Sequence, residues 1–304
     1  MKAHRLSTIT LSLLLVATGC SSTSAGGGAG KLDVVVAFYP LQYVVEQVGG
    51  DQVSVSNLTK PGVEPHDLEL TAKQVASVAT ADLVFYEKGF QAAVDSAVDT
   101  EKPKRVLDAA AIVPLRTTPG FTGEPSTPST SALDPHTWLD PRTMIEYASA
   151  VATQLSQSRP TSAAVFQQRA DALTKELTTL DSDLSTGLAT CQRRAFVTSH
   201  AAFGYLAERY GLEQVGIAGL TPDAEPTPSR LAEVQKIAKA KGVTTIFSET
   251  LASPALADAL ANDLGLKTDV LDPLEGITSQ SRGTDYPSVM RSNLSALRTA
   301  GGCT

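Results

Sequence analysis

Beyond its first 19 residues the sequence has no long apolar run. A membrane-spanning helix needs about 20 consecutive apolar residues, so no later segment is expected to cross a bilayer. The start is different, because Lys2 and Arg5 precede a short apolar run at 11–16 (LSLLLV). That run is too short to span a bilayer, and the layout is typical of a signal peptide, predicted here over residues 1–19.

Positive charge is also scarce. The sequence has 25 Lys and Arg residues against 32 Asp and Glu residues, a net charge of −7. Removal of residues 1–19 takes away Lys2 and Arg5 and no acid, so the mature chain carries −9 (−7 minus 2). A chain with this excess of negative charge is not expected to bind nucleic acid.

Only three cysteines are present. Cys20 follows small residues (ATG), as in the lipobox of bacterial lipoproteins, which it resembles; there the chain is cut before the cysteine, which is then acylated. The resemblance implies a lipid anchor at Cys20, and the Ser- and Gly-rich residues 20–32 are predicted to be a flexible tether. Cys191 and Cys303 remain. In an oxidising exterior they are expected to form a disulfide, and two free, buried thiols are the alternative.

Short β-branched segments alternate with helical segments in both halves of the chain. The pattern is clear around 33–38 (DVVVAF) and 82–87 (DLVFYE), and again around 194–199 (RAFVTS) and 243–248 (VTTIFS). This alternation predicts an α/β fold with two lobes, each containing a mostly parallel sheet. Residues 117–132 break the pattern, because they are rich in Pro, Thr, Ser and Gly, and are predicted to form a flexible surface loop.

A long helix is predicted between the two lobes. Apolar residues recur at steps of three and four from Phe166 to Leu188, which indicates one helix of almost 30 residues. A dimeric coiled coil is the alternative. The predicted organisation is an N-terminal lobe at 33–159, a linking helix at 160–190 and a C-terminal lobe at 191–304.

Histidine is rare after the predicted signal peptide, with only His66, His136 and His200. His200 and Asp272 each follow a predicted strand, and open α/β sheets bind ligands outside the carboxyl ends of their strands. Three imidazoles and a carboxylate, two from each half, suit a tetrahedral Zn²⁺ site. Spacing alone is a weak signal, because a single histidine more often has no ligand role, so these residues alone make the site a hypothesis.

Five ordered motifs support that hypothesis. They are 38–41 (FYPL), 62–69 (GVEPHDLE), 134–141 (DPHTWLDP), 198–206 (TSHAAFGYL) and 271–274 (LDPL). Over residues 33–300 the chain resembles the metal-binding solute-binding lipoproteins of ABC transporters, the zinc and manganese receptors. The resemblance implies two α/β lobes joined by one long helix, with the metal site at the lobe interface. It also implies that the metal ligands are His66, His136, His200 and Asp272.

Three acidic residues near the motifs are candidates for supporting the ligands. Glu249 ends a predicted strand of the second lobe, and Glu64 and Asp134 each precede a histidine by two residues. A carboxylate that accepts a hydrogen bond from an imidazole fixes the tautomer of the ring. Direct coordination by Glu249 or Glu64 is the alternative.

The implied function is extracytoplasmic metal capture. A receptor of this family would be anchored to the outer face of the cell membrane and would deliver Zn²⁺ to the permease and ATPase of an ABC importer. It is expected to be a monomer and not an enzyme. Because protonated histidines cannot bind metal, its affinity is expected to fall as pH drops through about 6.5.

Several alternatives stay open. A histidine at the third ligand position, His200, favours zinc over manganese within the family. The loop 117–132 lacks the histidines usual in a zinc receptor, which keeps a manganese or iron receptor as an alternative. A surface adhesin is another. A zinc hydrolase would need three protein ligands and an open position for water.

Overall fold

A computed structural model describes residues 30–118 and 132–304 of the chain. The predicted signal peptide, Cys20 and most of the predicted tether lie outside the described residues, as does most of the predicted loop 117–132. In the described ranges, every helix is too short or too polar to cross a membrane. Residues 31–304 belong to a single unit of the fold.

The first half builds a parallel sheet of four strands in the order β2-β1-β3-β4. The strands are β1 (Leu32–Val36), β2 (Val53–Asn57), β3 (Leu83–Tyr86) and β4 (Val106–Asp108). The helices of this half are α1 (Tyr39–Gly49), α2 (Ala72–Thr80), α3 (Ala92–Glu101) and α4 (Ala109–Ile112). β3 is apolar and buried along its whole length, as expected of a central parallel strand.

The second half repeats this plan in the order β10-β9-β7-β8. The strands are β7 (Ala195–Thr198), β8 (Glu213–Gly216), β9 (Thr245–Ser248) and β10 (Lys267–Val270). The helices are α7 (Gly204–Tyr210), α8 (Pro228–Lys241), α9 (Ala255–Leu264) and α10 (Tyr286–Gly301). The predicted fold class, α/β with two parallel-sheet lobes, is confirmed.

The strand orders place a topological switch point in each sheet. In the first sheet the connections diverge between β1 and β3, and in the second between β7 and β9. Open α/β sheets bind ligands in the crevice beyond the carboxyl ends of such a strand pair. His200 follows β7 and Glu249 follows β9, so both residues lie at the switch point of the second sheet.

α5 (Pro141–Ser158) completes the first half, and α6 (Ala163–Leu188) links it to the second. With 26 residues, α6 is roughly 39 Å long at about 1.5 Å per residue. Its buried stripe from Phe166 to Leu188 packs against α1 and α5 from the first half and against α7 and α10 from the second. The apolar stripe is therefore covered within the chain and needs no coiled-coil partner. The predicted lobe boundaries, 33–159 and 191–304, are still predictions.

A short antiparallel hairpin differs from the expected loop. β5 (Arg116–Thr118) pairs with β6 (Ala132–Asp134), with Arg116 opposite Asp134. Part of the predicted loop 117–132 is therefore strand. The local composition favours a loop, and the pairing depends on partners that are distant in sequence, so the prediction was wrong for these residues.

Cys191 and Cys303 are joined by a disulfide with a sequence separation of 112 residues. The variant with both residues replaced by alanine is expected to lose roughly 4–5 kcal/mol of unfolding free energy in the chain-entropy model. Denaturant unfolding measures the loss. Alkylation followed by intact-mass analysis should modify neither residue until a reductant is added, and modification of both without reductant would contradict the bond.

Candidate metal site

Three histidines and one glutamate converge between the two lobes. One ligand atom from each of His66, His136, His200 and Glu275 lies within 4.8 Å of the other three. His66 lies between β2 and α2, and His136 follows β6. His200 follows β7, and Glu275 follows β10. Each half of the chain thus contributes two ligand candidates. In the described part of the chain, this is the only such cluster of His, Cys, Asp or Glu residues.

The distances within the cluster suit a small tetrahedral cation. Glu275 Oε1 lies 3.3 Å from His66 Nε2, 3.4 Å from His136 Nε2 and 3.5 Å from His200 Nε2. The Nε2 atoms of His136 and His200 are 3.3 Å apart. Ligand atoms of a tetrahedral shell with bonds of about 2.0–2.1 Å lie roughly 3.3–3.4 Å from one another. Four of the six edges therefore have about the length expected in a zinc shell.

Glu275 takes the position that the sequence predicts for Asp272. Asp272 is not a member of the cluster. Its Oδ1 accepts the N–H of Leu274 at 2.8 Å, and its backbone N–H and C=O bond to the Asn293 side chain at 2.9 and 2.7 Å. Leu274 has a positive φ of 60°, so the chain turns sharply and directs Glu275 to the histidines. The structure thus corrects the fourth ligand candidate from Asp272 to Glu275.

The turn that presents Glu275 is also held from the first lobe. The Trp138 Nε1–H donates to the carbonyl of Pro273 at 2.7 Å, and the Tyr286 hydroxyl donates to the carbonyl of Trp138 at 2.6 Å. Both aromatic side chains are fully buried. Because the motif around His136 contacts the turn directly, the spacing between His136 and Glu275 is set by packing on both sides.

Two of the three acids that the sequence predicts to support the ligands bond to the rings of candidate histidines. His136 Nδ1 lies 2.8 Å from Asp134 Oδ1, and His200 Nδ1 lies 2.8 and 2.7 Å from the two carboxylate oxygens of Glu249. The same carboxylates accept the backbone N–H groups of these histidines. Each Nδ1–H can therefore donate to its carboxylate, which leaves Nε2 as the ring atom that faces the cluster and that would bind an ion once it is deprotonated.

Glu64 acts on the backbone and not on an imidazole ring. Its Oε1 accepts the backbone N–H of His66 at 2.9 Å, which fixes the loop that carries this histidine. Burial, and after it the nearby Glu275 carboxylate, raise the pKa of Glu64 to about 8. The ring of His66 packs edge-on against Phe90, with ring centroids 4.7 Å apart.

The charges of the cluster are closely coupled. Burial acts to raise the pKa of Glu275, but hydrogen bonds from His136, His200 and His66 outweigh it and hold that pKa well below its usual range. Burial acts to lower the pKa of His200, yet the Glu249 carboxylate holds it well above its usual range. The pKa of His136 is raised too, because hydrogen bonds to Asp134 and Glu275 outweigh burial. For His66, burial prevails and lowers the pKa.

A contact across the lobes holds Asp134, the partner of His136. The Tyr205 hydroxyl, from α7, donates to the carbonyl of Asp134 at 2.9 Å. A Cβ atom at Gly204 would lie 2.7 Å from Asp134 Oδ2 and 3.0 Å from Arg116 Nη1. The absence of a side chain at position 204 therefore lets α7 approach the carboxylate that orients His136.

Comparisons with known proteins agree on one family. The family model described as ZnuA, zinc-uptake complex component A periplasmic, matches residues 34–300. The chain is 39% identical over 295 residues to the zinc-binding lipoprotein AdcA of Streptococcus pneumoniae, a match that covers 94% of this chain and 58% of AdcA. It therefore spans little more than half the length of that relative. It is 35% identical over 297 residues to the high-affinity zinc uptake system protein ZnuA of Bacillus subtilis, with 94% and 93% covered.

Solved structures support the same relationship. The crystal structure of the Zn(II)-bound ZnuA-like domain of Streptococcus pneumoniae AdcA matches with a TM-score of 0.74 at 39% identity, and the match covers 90% of this chain and 99% of that one. The laminin-binding protein Lmb of Streptococcus agalactiae, described as having adhesin and metal transporting activity, matches with a TM-score of 0.78 at 31% identity, with 89% and 99% covered.

Proposed function

Because the chain belongs to the family of zinc-uptake complex component A, we propose that it is a receptor that captures Zn²⁺ between its lobes and delivers the ion to an ABC importer. The main support is the geometry of the cluster. The Nε2 atoms of the three histidines lie 3.3–3.5 Å from the buried Oε1 of Glu275, about the distance between two ligand atoms in a tetrahedral zinc site. In this role the ion is cargo, and the protein carries out no reaction on it.

The donor set supports zinc over manganese. Three imidazole nitrogens and one carboxylate oxygen favour Zn²⁺, whereas Mn²⁺ prefers more oxygen ligands. The same set argues against a zinc hydrolase, because four protein ligands leave no position for a reactive water. His136 and His200 are fully buried, so a bulky substrate has no approach from their side.

The partners and the anchor are part of the proposal. The family description as a component of an uptake complex supports a permease and an ATPase as partners. The name of the relative AdcA as a lipoprotein supports acylation of Cys20 and a location outside the cytoplasm, on the membrane. We propose that the receptor acts as a monomer.

Metal titration tests the proposed function. Zinc is expected to raise the melting temperature, by the equivalent of roughly 4 kcal/mol when free zinc exceeds the dissociation constant by about 1000-fold. Calorimetric competition should show that manganese binds more weakly than zinc. Tighter binding of manganese than of zinc would contradict the assignment of zinc as the metal. If no metal changed the melting temperature, the proposed receptor function would be wrong.

Zinc affinity is expected to keep rising with pH above 6.5. A raised pKa means that His136 and His200 keep a proton above the ordinary histidine pKa of about 6.5, and zinc must displace that proton. The pH range over which zinc affinity changes therefore lies above the range expected from the sequence alone, which is centred at about 6.5. Calorimetry at pH 7 in buffers of different ionisation enthalpy should detect at least about one proton released per zinc. An affinity that is constant above pH 6.5 would contradict this assignment.

Gly204→Ala is expected to weaken zinc binding. The added Cβ would collide with Asp134 and displace the carboxylate that orients His136. Loss of such a partner costs roughly 10–100-fold in metal affinity. The collision should also lower the stability of the metal-free variant by about 1–3 kcal/mol, as overpacking does, so zinc affinity is measured by calorimetric titration of the folded variant. Wild-type zinc affinity in this variant would show that the position of the Asp134 carboxylate does not depend on the missing side chain at residue 204.

A further inference from the structure

One aspartate on the linking helix joins both halves of the protein. Asp181 lies in α6, and only 12% of its side chain is exposed. Its Oδ1 accepts from Arg209 Nε and from the Tyr210 hydroxyl, both at 3.1 Å. Its Oδ2 accepts from Arg209 Nη2 at 2.9 Å and from Arg142 Nε at 3.3 Å. Both carboxylate oxygens are therefore used, and the bond to Arg209 is bidentate.

The donors belong to helices that begin next to the ligand histidines. Arg142 lies in the first turn of α5, which begins at Pro141 after the motif of His136. Arg209 and Tyr210 end α7, which begins at Gly204 after His200. Asp181 thus connects a first-lobe helix and a second-lobe helix at a single point of α6.

The network has a fixed geometry and a fixed charge. Two guanidinium groups flank one carboxylate, and bidentate Arg–carboxylate pairs have strong directional preference. Burial acts to raise the pKa of Asp181, but hydrogen bonds from Arg209, Tyr210 and Arg142 outweigh it and lower that pKa. The carboxylate is therefore ionised at neutral pH and keeps all of its donors.

We propose that Asp181 is a positioning residue for the metal site, which sets the spacing of His136 and His200 by holding α5 and α7 to the linking helix. The proposal rests on the proposed zinc-binding function. The two Nε2 atoms lie 3.3 Å apart on different lobes, and a tetrahedral shell tolerates little change in that distance. Without the network the lobes can shift relative to each other, and the bound ion escapes faster.

A matched variant on the same helix separates positioning from stability and charge. Asp183 also lies in α6, but it accepts from Arg291 Nε of α10 at 3.2 Å, so it ties the helix to the second lobe alone. Asp181→Asn and Asp183→Asn each remove one negative charge from α6. The measurement is the rate of zinc release from the full chain into excess chelator, together with the melting temperature with and without zinc.

Zinc release is expected to be about tenfold faster in Asp181→Asn and within about twofold of wild type in Asp183→Asn. A merely structural role would lower the melting temperature equally with and without zinc and leave the release rate unchanged. An equal increase in both variants would show an effect of charge. Either result would overturn the proposal.

Arg142→Gln provides a second test if Asp181→Asn does not fold. It removes the hydrogen bond from α5 to Asp181 at a side chain that is 62% exposed. Asp181 keeps its hydrogen bonds from Arg209 and Tyr210. Arg291→Gln is its control. Faster zinc release in Arg142→Gln alone supports the proposal, and wild-type release overturns it. Failure of the wild-type chain to bind zinc would instead overturn the proposed function itself, and the positioning role with it.

Discussion

Glu275→Gln is expected to weaken zinc binding by more than about 100-fold, which exceeds the usual cost of losing a residue that only supports a ligand. The substitution keeps the size of the side chain but removes the charge that all three ligand histidines face. Its amide would place a neutral group at the fourth corner of the tetrahedron. Isothermal titration with zinc measures the change.

Asp272→Asn is the matched control for Glu275→Gln. Asparagine can still accept the N–H of Leu274 through its Oδ1, so the turn that presents Glu275 is kept. Zinc affinity should fall by no more than about tenfold, the lower end of the range for a supporting residue. The reverse order of effects would restore Asp272 as the ligand and would remove Glu275 from the site.

His136→Ala is expected to abolish the rise in melting temperature that zinc produces. The variant removes one of four ligands and leaves the Asp134 carboxylate buried without its ring partner. Zinc must then bind through three groups, and the fourth position opens to water. Differential scanning calorimetry with and without zinc measures the effect.

Asp134→Ala provides the comparison for His136→Ala. It removes the hydrogen bond that orients the ring but keeps the ligand, and its cost should be roughly 10–100-fold in affinity. A graded result, with partial loss in Asp134→Ala and complete loss in His136→Ala, would separate the ligand from its support. A full zinc-induced shift in His136→Ala would show that this histidine does not bind the ion.

Much of the fold could be predicted from local patterns. The runs at β1, β3, β7 and β9 are short, mostly apolar and rich in β-branched and aromatic residues, so they indicate buried parallel strands without any tertiary information. The stripe of α6 is visible in the same way. The hairpin of β5 and β6 was missed because its partners, such as Arg116 and Asp134, carry no local strand signal.

The candidate site could be predicted only in part from local sequence. The three histidines were found because they are the only ones after the predicted signal peptide and lie in recognisable motifs. Asp272 and Glu275 belong to one short segment, and the choice between them depends on the left-handed conformation of Leu274. The sequence LDPLEG contains both acids but does not show which one the turn directs inward.

The contacts between the lobes are still harder to predict from the sequence. Tyr205 bonds to Asp134, and Asp181 bonds to Arg142 and Arg209, although these partners are distant along the chain. Such pairs depend on how the lobes pack on α6. A sequence can suggest the ligands of this site, whereas the residues that hold its two halves together become visible only in three dimensions.

A crystal structure of the zinc-loaded protein, with anomalous diffraction data at the zinc edge, tests the proposed site most directly. We expect one strong peak about 2.0–2.1 Å from the Nε2 atoms of His66, His136 and His200 and about 2.0–2.2 Å from a carboxylate oxygen of Glu275. A peak bound by Asp272, or by residues outside these four, would contradict the assignment.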